Sequence, residues 1–410
     1  MKPFFNVITP NQLLAHIKDF PCVDCEKISI DHCMGRVIAE DIVAMENIPS
    51  FRRSTMDGYA VKASSTFGAS ESNPAFFFIK ENIGMGEVPQ KKIGLQEVSK
   101  IATGGMLPEG ADSVVMIEYT DMIDDTTIEL YKSVAPLQHV IDIGEDMKKG
   151  SCQCQKGEVI RPQDMGALAA LGINTVTVYQ KPKVAIISTG DEIVPIDQQP
   201  AHGQIRDINR YTLFGQVLQN DGIPTFIGHV PDDKKALKKA CSKAIQMSDM
   251  IIISGGSSVG MRDFTIDVIQ SFEHARILAH GISIQPGKPT ILASLEKTML
   301  WGLPGHVTSA MIVFNTLVRP FLRHIAGETA PPFYAQQFIQ ARLTRNIASG
   351  QGREEYVRVR LEKTPSEILA FPIQGKSGLI RTMVQADGIV VVPENSEGLD
   401  EGICVDVLLY

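Results

Sequence analysis

The stretch Met250–Phe264, MIIISGGSSVGMRDF, is an apolar run that stops in a Gly-Gly-Ser-Ser turn, with Asp263 a few residues further on. An unbroken apolar run ahead of such a turn predicts a buried strand feeding a glycine-rich loop. In α/β proteins loops of this kind bring backbone N–H groups against an oxyanion. Glycines let the backbone approach closely, Ser257 and Ser258 add donors, and Asp263 suits a divalent cation beside the anion. A plain strand-to-helix connection fits the same letters, since glycine-rich motifs recur by chance.

Strand and helix alternate on both sides of this loop. VAIIST (184–189), PTFIGHV (224–230), MIIIS (250–254), RILAH (276–280), TILAS (290–294) and TMLWG (298–302) read as strands. Helical periodicity covers 208–221, 234–247, 264–272 and 307–327. Such alternation predicts a mostly parallel sheet with helices on both faces, and ligands then bind outside the carboxyl ends of its strands. That rule gathers four turns on one rim. Ser188-Thr189-Gly190-Asp191-Glu192 supplies hydroxyls and carboxylates, and Ser254-Gly255-Gly256 opens the glycine-serine loop. Lys288 is fixed between Pro286 and Pro289, and Leu303-Pro304-Gly305-His306 leads into a helix carrying Thr308 and Ser309. Anion donors, a fixed cation and carboxylates together point to a nucleotide or phosphorylated ligand held with Mg²⁺. The bland alternatives are helix capping for Asp191 and Glu192 and a surface turn for Lys288.

A chain of 410 residues is too long for one ordinary core and suggests about three domains. With 44% hydrophobic and 21% charged residues it reads as a globular protein, and a net charge of −8 argues against nucleic-acid binding. No apolar run approaches a membrane span, and the opening MKPFFNVITPNQLL lacks a signal core, so a cytoplasmic location is expected. Cys22, Cys25, Cys33, Cys152, Cys154, Cys241 and Cys404 are sparse and odd in number, which predicts reduced thiols.

Upstream, Thr9-Pro10 and NQLLAHIKDF read as a capped amphipathic helix, and residues 28–145 as short strands separated by Gly and Pro. Residues 162–173 are helical again. After Glu328 the pattern returns to strands, EYVRVRL and GIVVVPE among them, which predicts a small barrel or sandwich. Asp57, Thr103 and Asp146 sit in what read, in isolation, as ordinary turns; Arg353 and Ser377 lie beside glycines, where oxyanion binding competes with a solvated hairpin tip.

In their order, these pieces resemble one family closely. SxMDGYAV at 54–61, ATGGMLPEGADSVVM at 102–116, GED at 144–146 and STGDE at 188–192 are followed by DINR at 207–210 and PDD at 231–233. SGGSSVGMRDF at 254–264, PGKP at 286–289 and GLPG at 302–305 complete the set. The chain resembles the molybdopterin molybdenumtransferases, the family of bacterial MoeA and of the C-terminal domain of gephyrin and plant Cnx proteins. The fold this implies is multidomain α/β plus β. An elongated discontinuous domain I would hold 1–27, 46–52 and 146–180, and an all-β domain II 28–45 and 53–145. A three-layer α/β domain III would hold 181–328, and a C-terminal β-barrel domain IV 329–410.

The activity implied is insertion of molybdenum from molybdate into adenylylated molybdopterin, with release of AMP and Mg²⁺ assisting. A homodimer is implied, its cleft lying between the α/β domain of one subunit and the second domain of the other. Docking partners implied are the molybdopterin adenylyltransferase and acceptor molybdoenzymes. Family positions carry over to Asp57, Thr103, Asp146, Glu192, Asp232, Asp263, Lys288, Pro289, Pro304, Ser309, Arg353 and Ser377. Glu192, Asp232 and Asp263 are the candidates for Mg²⁺ and, with Asp57, for catalysis. Ser188, Thr189, Gly190, Ser254, Gly255, Gly256, Ser257 and Ser258 are candidates for the pyrophosphate end, and Lys288, Ser309, Arg353 and Ser377 for molybdate. The chain departs from the family pattern at Gln285, where lysine is frequent, at His306-Val307-Thr308, where Asn-Pro-Val is common, and at Ile141. Alternatives are a tungstate-using variant, an adenylyltransferase or hydrolase needing only the α/β domain, and a non-catalytic molybdopterin-binding scaffold.

Overall fold

Helices covering both faces of a sheet require its strands to be apolar at every position, and the central strands meet that demand. β1 (Lys183–Thr189), β2 (Ile223–Val230), β3 (Met250–Ser254), β4 (Arg276–His280), β5 (Ile291–Leu295) and β6 (Thr298–Leu303) form one sheet in the order β2-β1-β3-β6-β5-β4. The computed structural model describes residues 7–255, 259–329 and 338–410, and for 259–263 the backbone alone. β2, β1, β3 and β6 are parallel, while β5 runs antiparallel to both its neighbours.

Successive residues of a strand face opposite sides. Val184, Ile186, Met250, Ile252 and Trp301 therefore pack with Leu213 and Val217 of α1 (Asn209–Gln219) on one face. Ala185, Ile187, Ile251, Ile253 and Leu300 meet Leu237 and Cys241 of α2 (Lys234–Ile245) and Val268 and Ile269 of α3 (Val259–Gln270) on the other. α4 (Val307–Val313) continues through a π turn at Phe314–Val318 into Arg319–Ile325, and Phe321 of that last stretch meets Trp301 edge-on at 5.2 Å. Trp301 is fully buried. Trp301→Ala should cost about 3–5 kcal/mol of stability, read as a lower urea midpoint. A loss under about 1 kcal/mol would deny this core its central place.

Because β4 and β6 are each antiparallel to β5, they point the same way. The loops after β1, β3, β4 and β6 thus leave from one rim, as the sequence pattern requires.

The β-rich unit is a half-barrel of six strands. At the C-terminus, Glu354–Lys363 pairs with both Ile368–Pro372 and Gly388–Val392, and Phe338–Leu343 and Cys404–Leu409 complete a closed barrel. Closure decides between the barrel and the sandwich that the sequence leaves open.

Two segments pack elsewhere than their sequence pattern suggests. Residues 28–45 were expected in the half-barrel. Instead Cys25–Ser29 pairs with Thr175–Tyr179, and Ile42–Val43 with Cys152–Cys154. Cys33, Ile38 and Ile42 share a core with Ile160, Leu168 and Val178. Alternation specifies which face of a strand is buried and not which distant strand it joins, so 28–45 looked like the strands that follow it. The first helix also departs from the expected 1–27 assignment, since Leu13 and Phe20 enter the core of the α/β unit and Ile8 bridges Ile282.

Candidate functional site

The site begins where β1 and β3 run out. Ser188, Thr189 and Ser254 are buried at the two strand ends, and Ser188 Oγ has no hydrogen-bond partner. Gly255 follows with φ +132°, and a Cβ there would lie 2.1 Å from the Thr189 carbonyl oxygen. The two loops touch backbone to backbone, a contact open only to glycine. Asn209, at the start of α1, donates from Nδ2 to Ser254 Oγ at 2.6 Å and to the Gly305 carbonyl at 2.9 Å. It ties the end of β3 to the turn after β6. Ser188, Thr189, Glu192, Asn209, Ser254 and Gly255 line one cleft of about 240 Å³. Gly190 lies between Thr189 and the Glu192 loop and takes φ +139°.

Carboxylates gather beside this cleft. The Asp232 backbone N–H donates to Asp191 Oδ1 at 3.1 Å. Burial, and then the negative charges of Asp191 and Glu192, push the Asp232 carboxyl above its ordinary pKa. Its Oδ1 is buried with no hydrogen-bond partner. An orphaned carboxylate oxygen under repulsion from two neighbours is a donor set that a hard cation would satisfy. Among the described residues no group of three or more His, Cys, Asp and Glu could by itself hold a metal ion. Gly256, Ser257 and Ser258, and the side chain of Asp263, lie outside the described residues.

A larger cleft of about 710 Å³ opens between the rim and the barrel, where Ile284–Gln285 runs parallel to Glu354–Glu355. Lys288, Pro289, Pro304, Ser309, Arg353 and Ser377 all line it. These residues, scattered over some ninety positions of sequence, share one cleft. Lys288, Arg353, Arg358 and Lys376 bring positive charge against Glu355, the one carboxylate among the described lining residues. Arg353 Nε and Arg358 Nε are buried without partners. Gln285, in place of a lysine, donates to Glu355 at 3.5 Å, and Glu355 also accepts from Ser349 at 2.8 Å. The surplus of unmatched guanidinium donors suits an oxyanion. The two clefts meet at His306, which lines both and whose Nδ1 is 2.8 Å from Ser377 Oγ.

Asp57, Thr103 and Asp146 line neither cleft of this chain. Thr103 donates to Asp57 Oδ1 from its backbone N–H at 2.7 Å and from its hydroxyl at 2.9 Å, and these bonds hold the Asp57 carboxyl below its ordinary pKa. Asp146 donates its N–H to the Ile48 carbonyl at 3.1 Å. All three are exposed. The cysteines are free thiols.

Three polar residues escaped assignment on sequence. Asn209 was visible only as part of DINR. Asp207 accepts from the Arg210 N–H at 3.0 Å and pairs with His229 at 2.9 Å, anchoring the start of α1. Arg358 is buried in the barrel wall and donates to Thr382 Oγ1 and the Gly375 carbonyl, each at 2.9 Å. Its signal was an arginine two places from Tyr356, on the face of EYVRVRL that turns from the barrel core toward the α/β unit.

Comparison with known proteins covers nearly the whole chain. Residues 8–172 match the MoeA N-terminal region (domains I and II), 185–324 the probable molybdopterin binding domain, and 340–410 the MoeA C-terminal region (domain IV). A protein of Methanocaldococcus jannaschii named for molybdopterin biosynthesis is 36% identical over 94% of this chain and 92% of its own. The molybdopterin molybdenumtransferase of Haemophilus influenzae is 33% identical over 93% of each chain. A crystal structure of a Pyrococcus horikoshii molybdopterin biosynthesis MoeA protein superposes with a TM-score of 0.84 at 38% identity, covering 98% of this chain and 99% of that one.

Proposed function

The chain belongs to the MoeA family of molybdopterin molybdenumtransferases, and from that premise we propose that it inserts molybdenum from molybdate into adenylylated molybdopterin and releases AMP. The observation that carries this reading is the convergence of Lys288, Ser309, Arg353 and Ser377 in one cleft that meets a second, strand-end cleft at His306.

The strand-end cleft takes the pyrophosphate end of the substrate. The unpartnered Ser188 hydroxyl and the close backbone approach at Gly255 leave donors for phosphate oxygens. Glu192 and Asp232 would hold Mg²⁺, with Asp263 as the third carboxylate that the family resemblance implies, and the ion would offset negative charge on the phosphates. The larger cleft takes molybdate. Lys288 and Arg353 supply charge, and the hydroxyls of Ser309 and Ser377 supply direction. A wall shared between the clefts keeps the oxyanion close to the dithiolene while the AMP end stays at the strand termini.

A homodimer completes the site. Asp57, Thr103 and Asp146 are exposed and line neither cleft of their own chain, which leaves them available to the cleft of a second copy. No helix among the described residues is long and apolar enough to cross a membrane.

The test is turnover. Purified protein with Mg²⁺ and molybdate consumes adenylylated molybdopterin and releases AMP, and Lys288→Ala raises the molybdate concentration for half-maximal rate by roughly 10–100-fold. No AMP release at saturating molybdate refutes the assignment. Tungstate in the same titration separates the two oxyanions.

A further inference from the structure

We propose that His306 is a positioning residue for the oxyanion: it turns the Ser377 hydroxyl so that its proton points into the larger cleft. The proposal rests on reading that cleft as an oxyanion site, and it goes beyond that reading by naming the group that makes Ser377 a donor.

A hydroxyl carries one proton and cannot give it to two acceptors. Ser377 Oγ lies 2.8 Å from His306 Nδ1, so one of the two must donate to the other. If Nδ1 is bare, it takes the serine proton, and Oγ turns only lone pairs toward the cleft. An oxyanion is then repelled. If Nδ1 carries a proton, it donates to Oγ, and the serine proton is left for the ligand. The side chain that lines the cleft is the same in both cases, but its sign as a partner is reversed.

The backbone around this pair is held by other bonds, which leaves the hydroxyl direction to His306. The Thr308 N–H donates to the Ser377 carbonyl at 3.1 Å. Arg358 donates to the Gly375 carbonyl at 2.9 Å, fixing the loop two residues before Ser377. On the other side Asn209 donates to the Gly305 carbonyl, one residue before His306. Lys288 attracts an anion as a point charge, whereas a hydroxyl must be aimed. His306 is exposed and is not needed to fill the core, so its replacement tests the hydrogen bond more than the fold.

Isothermal titration of the full chain with sodium molybdate provides the test, with His306→Ala, His306→Asn and Lys288→Ala beside the wild type. His306→Ala should weaken binding about tenfold, the ordinary worth of a hydrogen bond to a charged group. His306→Asn, whose amide still donates, should recover affinity to within about threefold of wild type. The ¹⁵N shift of His306 Nδ1 should report a protonated nitrogen in molybdate-saturated protein. Wild-type affinity in His306→Ala, no recovery in His306→Asn, or a bare Nδ1 in the saturated protein overturns the role of His306. In those cases a loss in Lys288→Ala leaves the oxyanion cleft standing. Absence of molybdate binding in the wild type removes both.

Discussion

Asp232→Asn should reduce turnover by roughly 100-fold or more while raising the melting temperature by about 1–2 °C. The two effects come from one cause. Burial and the neighbouring charges of Asp191 and Glu192 raise the Asp232 carboxyl pKa in the folded chain. The folded state therefore holds this proton more tightly than the unfolded chain does. Stability from this group is fully present at acid pH and is lost as pH rises from the ordinary carboxylate range through the raised folded value. At neutral pH the penalty is in force, and the neutral amide removes it. The amide also removes the charge that a divalent cation needs, so the variant should gain nothing in melting temperature from added Mg²⁺ where the wild type gains. Thermal melts with and without Mg²⁺, run beside turnover, measure both. A variant that melts lower than wild type and still responds to Mg²⁺ would place Asp232 among ordinary structural carboxylates.

Gly255→Val should lower AMP affinity by roughly 100-fold with the sheet intact by circular dichroism. The backbone at Gly255 adopts φ +132°, which side chains rarely adopt, and the new Cβ would stand 2.1 Å from the Thr189 carbonyl oxygen and 2.5 Å from its hydroxyl. Relief of these contacts separates the loop after β3 from the end of β1, and those are two walls of the strand-end cleft. The core strands lie behind these loops and need not follow. AMP titration by calorimetry measures the loss. Affinity within about threefold of wild type would mean that the close approach of the two loops serves the fold alone.

The central unit was legible in the sequence because its signals are local. Each of the strands β1 to β6 announces itself as an apolar run, and a parallel sheet sends the ends of such runs to one rim. The rim turns at 188–192, 254–263, 285–289 and 303–309 can therefore be grouped from the sequence alone. What pattern could not supply was partnership at long range. Cys25–Ser29 finds its ladder partner at Thr175–Tyr179, and nothing in either stretch names the other. The same limit hid the relation of Arg353 and Ser377 to Lys288; family resemblance supplied it, and the Ile284–Gln285 ladder against the barrel provides its physical basis. Asn209, Asp207 and Arg358 were missed for another reason. Each acts by tying one loop or helix end to another, and such work leaves no periodic trace.

The half-barrel enters and leaves the discontinuous unit through a narrow neck, where Arg53–Ser54 pairs with Val140–Ile141. For an emerging chain this neck shortens a distance. Cys25–Ser29 must wait for Thr175–Tyr179 to be synthesised, and a free chain of that length would pay a closure entropy that grows with every residue between. Once the half-barrel has formed, its neck strands hold the two flanks side by side, and the loop left to close is shorter than half the original. A half-barrel that folds before its flanks meet would act as a splint for them, because it removes its own length from the loop that Cys25–Ser29 and Thr175–Tyr179 must close.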